Sequence, residues 1–522
     1  MNAPRADLPR PGRAAVATSQ RLAADAGRDI LAAGGNAVDS ALATAIALTV
    51  TEPTSNGIGS DAFALVWDGQ RLHGFNGSGR SPRAWSPERF AGRPLMPALG
   101  WEAVTVPGAV DTWVRLHRRF GRLPFARLFA PAIAFAREGF PLGSVTAAAW
   151  ARARTHFADF ADFQKLFFPP GFEPVAGAHF AAPEMADTLE AIAQTEGAAF
   201  YEGHLARAMV ADAQAHGAAL CLEDLSGHQG EWVEPLTQTY RGHTLAEIPP
   251  NGQGLATLIA LGILERILPD PASMDLATLL HAQWEAMKIG LAETAAHVGE
   301  PAAMRIDPQQ FLDPSHLDAR ARAYHRARAL PVRATLPRAF GTVNLATADA
   351  DGCMVSFIQS NFWGFGSGIV VPGTGISLQN RGFGFSTDPA HPNAAGPAKR
   401  PFHTIIPGFL FRGQEPLMAF GLMGGQMQPQ GHLQMVHRLV DLGEHPQNAS
   451  DAPRWQIRED FQIITEEGFS PDMLAALAAR GHSIIGTAPA ALFGGMQAVL
   501  RLPDGTYSGA SDHRKDGHLA AF

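Results

Sequence analysis

The dipeptide Gly341-Thr342 opens a β-branched run, "GTVNLATA", directly after a segment rich in proline and arginine. A threonine hydroxyl is a weak nucleophile until a neighbouring base takes its proton. If Thr342 were the first residue of a chain, its own α-amine could be that base, because such an amine has a pKa of roughly 7.7–8.0. The chain would have to cut itself before Thr342 to create this terminus. On spacing alone, a Gly-Thr step more simply begins a strand, so both interpretations stay open.

Other catalytic and ligand-binding motifs do not fit the sequence. There is no G-x-S-x-G nucleophile elbow, and no glycine-rich phosphate-binding run follows a strand. The segment "DADG" (349–352) begins like a calcium loop but lacks the distal glutamate, so it predicts a hairpin turn. His432 and His437 are five residues apart and point to different faces of a helix, and Cys221 and Cys353 lack metal-ligand spacing. We therefore expect neither a metal nor an organic cofactor.

The composition is typical of a compact globular protein with many tight turns. Of 522 residues, 46% are hydrophobic and only 17% are charged, and 54 glycines are spread along the chain. A net charge of −8 with scattered basic residues provides no surface for nucleic acid. The N-terminal segment lacks the apolar core of a secretory signal, and the apolar stretch 37–50 is shorter than the roughly 20 residues that a membrane span needs. We predict a cytoplasmic protein that binds neither nucleic acid nor membrane.

Helices and strands are predicted in different parts of the chain. A helical pattern over 21–33 ends at Gly34-Gly35, and Asn36 is placed to cap a second helix over 37–50. Helices are predicted to dominate from about 107 to 345. Later strands are predicted at 343–348, 354–359, 368–371, 375–380, 408–412 and 417–423, and later helices at 431–443 and 470–481. Strands with helices on either side indicate a layered arrangement.

Separated motifs resemble the γ-glutamyltransferase family of N-terminal-nucleophile hydrolases. Residues 341–380 resemble the start of that family's small subunit, and residues 30–63 resemble its N-terminal helix and glycine turn. Five more motifs follow in the expected order: "VTVPGAVDTW" (104–113), "YRGHTLAEIPPNGQG" (240–254), "KRPFHTIIPG" (399–408), "GLMGGQMQPQGH" (421–432) and "GASDHRKDG" (509–517). The resemblance implies an α+β fold, a four-layer αββα sandwich. It also implies self-cleavage into a large subunit (1–341) and a small subunit (342–522) that together form one structural domain, and it leaves open a homodimer of these heterodimers.

The resemblance also implies roles for individual residues. Thr342 matches the family's catalytic nucleophile, which cleavage after the preceding glycine would free. Gly424 and Gly425 match the pair whose backbone N–H groups form the oxyanion hole, where the lack of a Cβ lets the backbone approach a developing alkoxide. Asn361 resembles a substrate-facing asparagine, and Asn344 resembles a position near the cleavage chemistry.

The departures from the family pattern concern the groups that hold the substrate's α-carboxylate and α-ammonium. Arg80 lies about two residues from the position of the carboxylate-binding arginine, and His403-Thr404 replace a pair of serines. Gly384 stands where an aspartate pairs with the α-ammonium, and Arg381 replaces a nearby glutamine. Without that acid, a buried ammonium would lack a partner, at a cost of roughly 3–5 kcal/mol. The pocket therefore favours an anionic acyl group that has no α-amine, with Arg80 and Arg381 as its partners.

Oxamate, hydrolysed to oxalate and ammonia, fits this description and is our first expectation. The alternatives are a glutaryl-type acylase and a γ-glutamyltransferase or glutathione hydrolase that recognises the ammonium by other groups. An uncleaved, non-catalytic protein that binds small molecules is the alternative of another class. For Arg381 a surface or structural ion pair is the competing interpretation.

Overall fold

The computed structural model describes residues 10–271, 274–331 and 341–522. The segment that leads into the expected cleavage point, 332–340, lies outside the described residues, as do residues 1–9 of the N-terminal segment. The strands are β1 (Ala15–Thr18), β2 (Asp61–Trp67), β3 (Leu72–Asn76), β4 (Phe140–Pro141), β5 (His179–Phe180), β6 (Glu231–Val233), β7 (Leu236–Tyr240), β8 (His243–Glu247), β9 (Val343–Ala348), β10 (Met354–Ser360), β11 (Val370–Val371), β12 (Ile376–Ser377), β13 (Pro407–Arg412), β14 (Glu415–Leu422), β15 (Trp455–Ile457), β16 (Ile463–Thr465), β17 (Ile484–Thr487), β18 (Met496–Arg501), β19 (Tyr507–Ser511) and β20 (His518–Ala521).

The helices bracket these strands in the sequence and cover them in space. They are α1 (Arg21–Ala32), α2 (Ala37–Thr51), α3 (Ala109–Phe120), α4 (Ala130–Glu138), α5 (Ser144–His156), α6 (Ala161–Phe167), α7 (Pro183–Thr195), α8 (Ala198–Tyr201), α9 (His204–Ala215), α10 (Leu222–Ser226), α11 (Leu255–Ile267), α12 (Leu276–His297), α13 (Pro314–Ala321), α14 (Met427–Val440), α15 (Pro446–Asp451) and α16 (Pro471–Ala479). None of the helices in these described ranges is long and apolar enough to cross a membrane.

Two antiparallel sheets form the centre of the molecule. The first has the strand order β20-β1-β9-β10-β2-β3-β6, and the second has the order β19-β18-β14-β13-β8-β7. Their facing surfaces pack through small and apolar side chains, among them Ala346, Ile358, Phe409 and Ala419. This inner core is distinct from the two cores that the helices form with the outer surfaces.

One helical layer covers each outer surface of the paired sheets. Helix α2 packs on β9 and β10, and α11 and α14 pack on the second sheet. Every residue of α2 is buried, which accounts for its alanine-rich sequence, and Asn36 and Asp39 form a capping box at its start. The predicted four-layer αββα sandwich is confirmed.

The β9–β10 hairpin sets the position of Thr342. Along β9, Val343 and Leu345 face the helical layer, whereas Ala346 belongs to the core between the sheets. Because side chains alternate along a strand, Thr342 faces the second sheet. The predicted "DADG" turn joins the strands, and the register that pairs Val343 with Gln359 brings Ser360 beside Thr342.

The prediction gave no bounds for β1 or for β15 to β20, and two further differences have a local cause. The region expected to be helical contains the hairpin of β7 and β8, whose turn residues Arg241 and Gly242 both have positive φ angles. Such a turn is usually signalled by Asn-Gly, and Arg-Gly carries a weaker signal. Helix α14 begins at Met427 rather than 431, because Pro429 occupies the first turn, where a helix tolerates proline.

Candidate active site

The backbone at the Gly341-Thr342 step requires a glycine. Gly341 has a φ of +107°, and a Cβ there would lie 2.5 Å from the Gly364 nitrogen. The chain continues into Thr342, whose side chain is buried and whose Oγ1 donates a hydrogen bond to the Gly341 carbonyl oxygen at 2.7 Å. The hydroxyl thus lies against the carbonyl group that it would attack in a self-cleavage reaction.

Ser360 provides a second hydroxyl at the same carbonyl. Its Oγ donates to the Gly341 oxygen at 2.7 Å and lies 3.3 Å from Thr342 Oγ1. The Ser360 oxygen also accepts from the backbone N–H of Phe362 and from Nη2 of Arg381, at 2.8 and 3.2 Å. Because both acceptor positions are filled by donors, the Ser360 proton points at the Gly341 carbonyl.

Arg381 is a fully buried cation whose partners are neutral. Its Nη1 donates to Thr404 Oγ1 at 3.0 Å and its Nη2 donates to Ser360, while the ring of Phe362 lies 4.2 Å from its Cζ. Its Nε has no hydrogen-bond partner, and it forms no ion pair within the described ranges. Burial lowers the pKa of Arg381, and the nearby Asp61 carboxylate opposes this shift. Arg381 is therefore not a surface residue, and its interaction with Asp61 takes place without a direct ion-pair contact.

Asp61 is the acidic group whose charge acts on Arg381, but both of its carboxylate oxygens already accept other hydrogen bonds. Oδ1 accepts backbone N–H groups from Gly79 and Gly108 at 3.1 and 3.0 Å, and Oδ2 lies 3.2 Å from His403 Nε2. Burial raises the pKa of Asp61 to about 6, although Arg381 opposes the rise. Burial and Arg381 both lower the pKa of His403, so this histidine is neutral and donates its Nε2 proton to Asp61.

The Gly424-Gly425 turn lies between β14 and α14. Both residues have positive φ angles, +112° and +59°, which a side chain would strain. The Gly425 carbonyl accepts from Gln253 Nε2 at 2.8 Å and from the backbone N–H of Gln428 at 3.1 Å. The side chain of Gln428 then reaches Thr342, with Nε2 3.4 Å from Oγ1. This turn is thereby linked to Thr342 through one residue.

Two residues singled out in the sequence make different contacts from those expected. Arg80 pairs with Glu300 and Glu231, at 2.8 and 3.1 Å, so its charge is already met by protein carboxylates. Asn361 is buried, and its side chain bonds to Ser60, Phe365 and Ser377.

Asn344 does lie near Thr342, two residues further along β9 on the same face of the strand. Its Nδ2 donates to the Phe357 carbonyl at 3.2 Å, and its buried Oδ1 has no partner. Gly421 on β14 leaves the space that this side chain occupies. Asn344 is therefore the next side chain after Thr342 on this face of β9.

Ser360, Asp61 and Gln428 were not predicted from the sequence. Ser360 could have been found, because the hairpin register through the "DADG" turn places position 360 opposite position 342. Asp61 and Gln428 lie within quoted motifs, but nothing in the spacing relates them to Thr342, which is hundreds of residues from the first.

One group of side chains could in principle hold a metal ion. His281, Glu285 and His482 are buried with their ligand atoms within 4.8 Å of one another. However, the Lys288 ammonium contacts the Glu285 carboxylate, and His281 Nδ1 bonds to His482 Nε2 at 2.7 Å. A cation placed here would be repelled by Lys288 and would have to break the histidine pair, so the chemistry of this cluster does not suit a metal.

Comparisons with known proteins extend over almost the whole chain. Residues 23–522 match the family described as gamma-glutamyltranspeptidase. A glutathione hydrolase-like YwrD proenzyme from Bacillus subtilis is 34% identical over 512 residues, covering 96% of this chain and 97% of that protein. An oxamate amidohydrolase proenzyme from Klebsiella pneumoniae is 34% identical over 515 residues, with the same coverage.

A solved structure gives the same result for the fold. The crystal structure of a cephalosporin acylase from Bacillus halodurans matches with a TM-score of 0.95 and 45% identity, covering 100% of this chain and 98% of that one. The four layers and the Thr342 region described above therefore lie within the matched part of the chain.

Proposed function

This chain belongs to the gamma-glutamyltranspeptidase family, and from that premise we propose that it is a self-cleaving amidohydrolase with Thr342 as its nucleophile. Cleavage would give subunits 1–341 and 342–522, which remain together because both contribute strands to each central sheet. The substrate is a small amide that carries a carboxylate and no α-amine, and oxamate is the first candidate.

In the self-cleavage step, Thr342 Oγ1 attacks the Gly341 carbonyl carbon. The new C–O bond forms, the Gly341-Thr342 C–N bond breaks, and the hydroxyl proton ends on the Thr342 nitrogen. Ser360 donates to the Gly341 oxygen while that oxygen carries negative charge. Water then hydrolyses the ester and leaves Thr342 with a free α-amine.

In the mature enzyme the α-amine takes the Oγ1 proton as the hydroxyl attacks the substrate amide. The Gly424 and Gly425 N–H groups hold the oxyanion, and the proton passes to the leaving nitrogen as the C–N bond breaks. Water then attacks the acyl-enzyme, the α-amine takes one of its protons, and this proton passes to Thr342 Oγ1 as the C–O bond breaks and the acid leaves. An oxyanion donor of this kind lowers the activation free energy by roughly 3–4 kcal/mol.

The observation that carries the substrate assignment is the unpaired charge of Arg381. The nearby Asp61 carboxylate acts on Arg381 without a direct contact, and its oxygens are taken by two backbone N–H groups and His403. A substrate carboxylate in direct contact with the guanidinium would therefore compensate its burial. The fork of Arg381 also matches the planar geometry of a carboxylate. Arg80, already paired with two glutamates, is the weaker candidate for this role.

The surroundings of Gly384 disfavour an α-ammonium group. A Cβ at this position would lie 2.9 Å from the Phe402 carbonyl oxygen, so an aspartate would be crowded and its charge repelled. The acid is replaced by Gly384, and Arg381, which stands in place of a glutamine, adds a positive charge nearby. An amino-free acyl group is therefore preferred over a γ-glutamyl group.

The short connection between Arg381 and Thr342 favours a short acyl chain. Ser360 lies between them and contacts both, so a carboxylate held by Arg381 lies close to the nucleophile. In oxamate the carboxylate carbon is bonded directly to the amide carbon. A glutaryl amide has three intervening methylene groups and needs a longer separation.

An acylase acting on a larger amide is the second candidate. A cavity of about 490 Å³, lined by Phe383, Gly384, Phe385 and Phe402 among others, adjoins the segment that carries Arg381. Such a space suits an apolar part of a larger substrate. The acylase name of the 45%-identical relative also favours this candidate.

The test is to incubate the cleaved protein with oxamate, a glutaryl anilide and a γ-glutamyl anilide, and to measure released ammonia or aniline. We expect turnover of oxamate and none of the γ-glutamyl anilide. Turnover of the glutaryl anilide alone selects the acylase, and turnover of the γ-glutamyl anilide alone defeats the assignment of an amino-free substrate.

A further inference from the structure

We propose that Gln428 is a catalytic residue whose side-chain amide donates a hydrogen bond to the reacting oxygen of Thr342, in self-cleavage and in substrate hydrolysis. The inference rests on the proposed role of Thr342 as the nucleophile. Gln428 is the second residue of α14. Its side chain is buried and lies on the side of Thr342 that β14 and α14 form.

The backbone around Gln428 fixes which end of its amide faces Thr342. The N–H of Ile406 donates to Gln428 Oε1 at 3.0 Å. A backbone N–H can only donate, so the oxygen of the amide must face Ile406. The Nε2 group is thereby directed toward Thr342 Oγ1, 3.4 Å away, and it presents an N–H donor to the hydroxyl oxygen.

A donor at Oγ1 assists both reactions for the same reason. As the hydroxyl loses its proton, negative charge grows on Oγ1, and a fixed N–H group stabilises that charge more than the neutral hydroxyl. The donor also leaves the Oγ1 proton free to point elsewhere. In the uncut chain that proton points to the Gly341 carbonyl oxygen, and in the mature enzyme it would point to the α-amine.

Gln428 also joins the nucleophile to two other parts of the site. Its backbone N–H donates to the Gly425 carbonyl, on the turn proposed to hold the oxyanion. Its side-chain oxygen holds the segment that follows Thr404 through Ile406. Through these contacts Gln428 sets the distance between Thr342 and the Gly424-Gly425 turn.

The test compares Gln428→Glu with Gln428→Met in the full-length protein. The glutamate has the same shape and can still accept from Ile406, but at neutral pH it offers no donor to Thr342. The methionine removes the donor and the acceptor. We expect the first-order rate of self-cleavage, followed on SDS gels, and kcat of the mature form to fall roughly 100-fold in both, with KM nearly unchanged.

The pH dependence of self-cleavage separates a donor from a merely structural role. Lowering the pH protonates the carboxyl of Gln428→Glu and gives it an O–H that can donate to Thr342. Its cleavage rate should therefore rise toward that of the wild type as the pH falls, whereas Gln428→Met should show no such recovery. Equal pH profiles for the two variants would overturn the proposal.

Gln434→Met is the matched control. Gln434 lies on the same helix, is buried, and bonds through its side chain to the backbone of Gln430 and Trp455. This variant should cleave itself at the wild-type rate. If Thr342→Ala also cleaves, the proposed function itself has failed. If Thr342→Ala is inert and Gln428→Met is as active as the wild type, only the role of Gln428 is refuted.

Discussion

Arg381 and the pair Arg454 and Arg514 are all buried, but they have opposite kinds of partner. Arg514 forms two hydrogen bonds with Glu466, at 2.6 and 2.7 Å, and a third with Asp512 at 3.1 Å. Arg454 pairs with the other oxygen of Asp512 and donates to the Phe493 carbonyl at 2.8 Å. Arg381 contacts two hydroxyl groups and an aromatic ring.

This difference separates two structural arginines from one that, on our proposal, is kept for a ligand. In the paired cluster the charges cancel within the protein, and Asp512 also holds the Met496 N–H at the end of the loop that packs against Gly424. Arg381 has no carboxylate in direct contact among the described residues, and Asp61 acts on it only from a distance. Because burying an unpaired charge costs stability, its presence beside Thr342 indicates a functional requirement.

The paired cluster should produce the largest effect when it is broken. Asp512→Asn removes the carboxylate that neutralises Arg454, so we expect the free energy of unfolding to fall by about 3–5 kcal/mol. Denaturant titration measures this. In the wild type, Arg454 and Arg514 hold the pKa of Asp512 below its ordinary value despite burial, so this stabilisation is present at neutral pH and is lost as the solution becomes strongly acidic.

A result within 1 kcal/mol of the wild type for Asp512→Asn would show that the two regions do not differ as described. Such a value is what a weak, solvent-screened ion pair would give.

Arg381→Met should have a smaller effect than Asp512→Asn. It should lower the activity and leave the stability nearly unchanged. Methionine removes the desolvation cost of the buried cation, but it also loses two hydrogen bonds and the attraction to Asp61. These changes offset one another, so the unfolding free energy should stay within about 1 kcal/mol of the wild type. The kcat/KM for a carboxylate-bearing amide should fall about 100-fold, as expected for the loss of a charged hydrogen-bonding partner. Steady-state kinetics of the mature enzyme checks this.

Arg80→Gln is the control for that variant, because Arg80 is a partly exposed arginine with two carboxylate partners. It should change kcat/KM less than about threefold. A large loss of activity in Arg80→Gln with none in Arg381→Met would show that the substrate carboxylate is bound by Arg80 and not by Arg381.

The sequence predicted the elements whose signals are local. The β9–β10 hairpin has alternating side chains and a "DADG" turn, and α2 has a capping asparagine, so both were located to within a residue. The start of α14 was missed because Pro429 and Gly431 resemble helix breakers. That error hid Gln428, which lies in the omitted first turn.

The contacts of the charged residues could not be predicted in the same way. Arg80 lies close in sequence to the family's carboxylate-binding position, but its partners Glu231 and Glu300 come from 151 and 220 residues away. Asp61 is brought to His403 by the packing of the two sheets, across 342 residues. Such partnerships depend on tertiary packing, for which one sequence carries no direct signal.

Mass spectrometry and N-terminal sequencing of the purified protein test the central claim most directly. Wild-type protein should separate under denaturing conditions into chains 1–341 and 342–522, the second beginning with Thr342, and Thr342→Ala should stay a single chain without amidase activity. A wild-type preparation that hydrolyses its amide substrate as one uncut chain, or a Thr342→Ala variant that retains hydrolysis, would contradict the account.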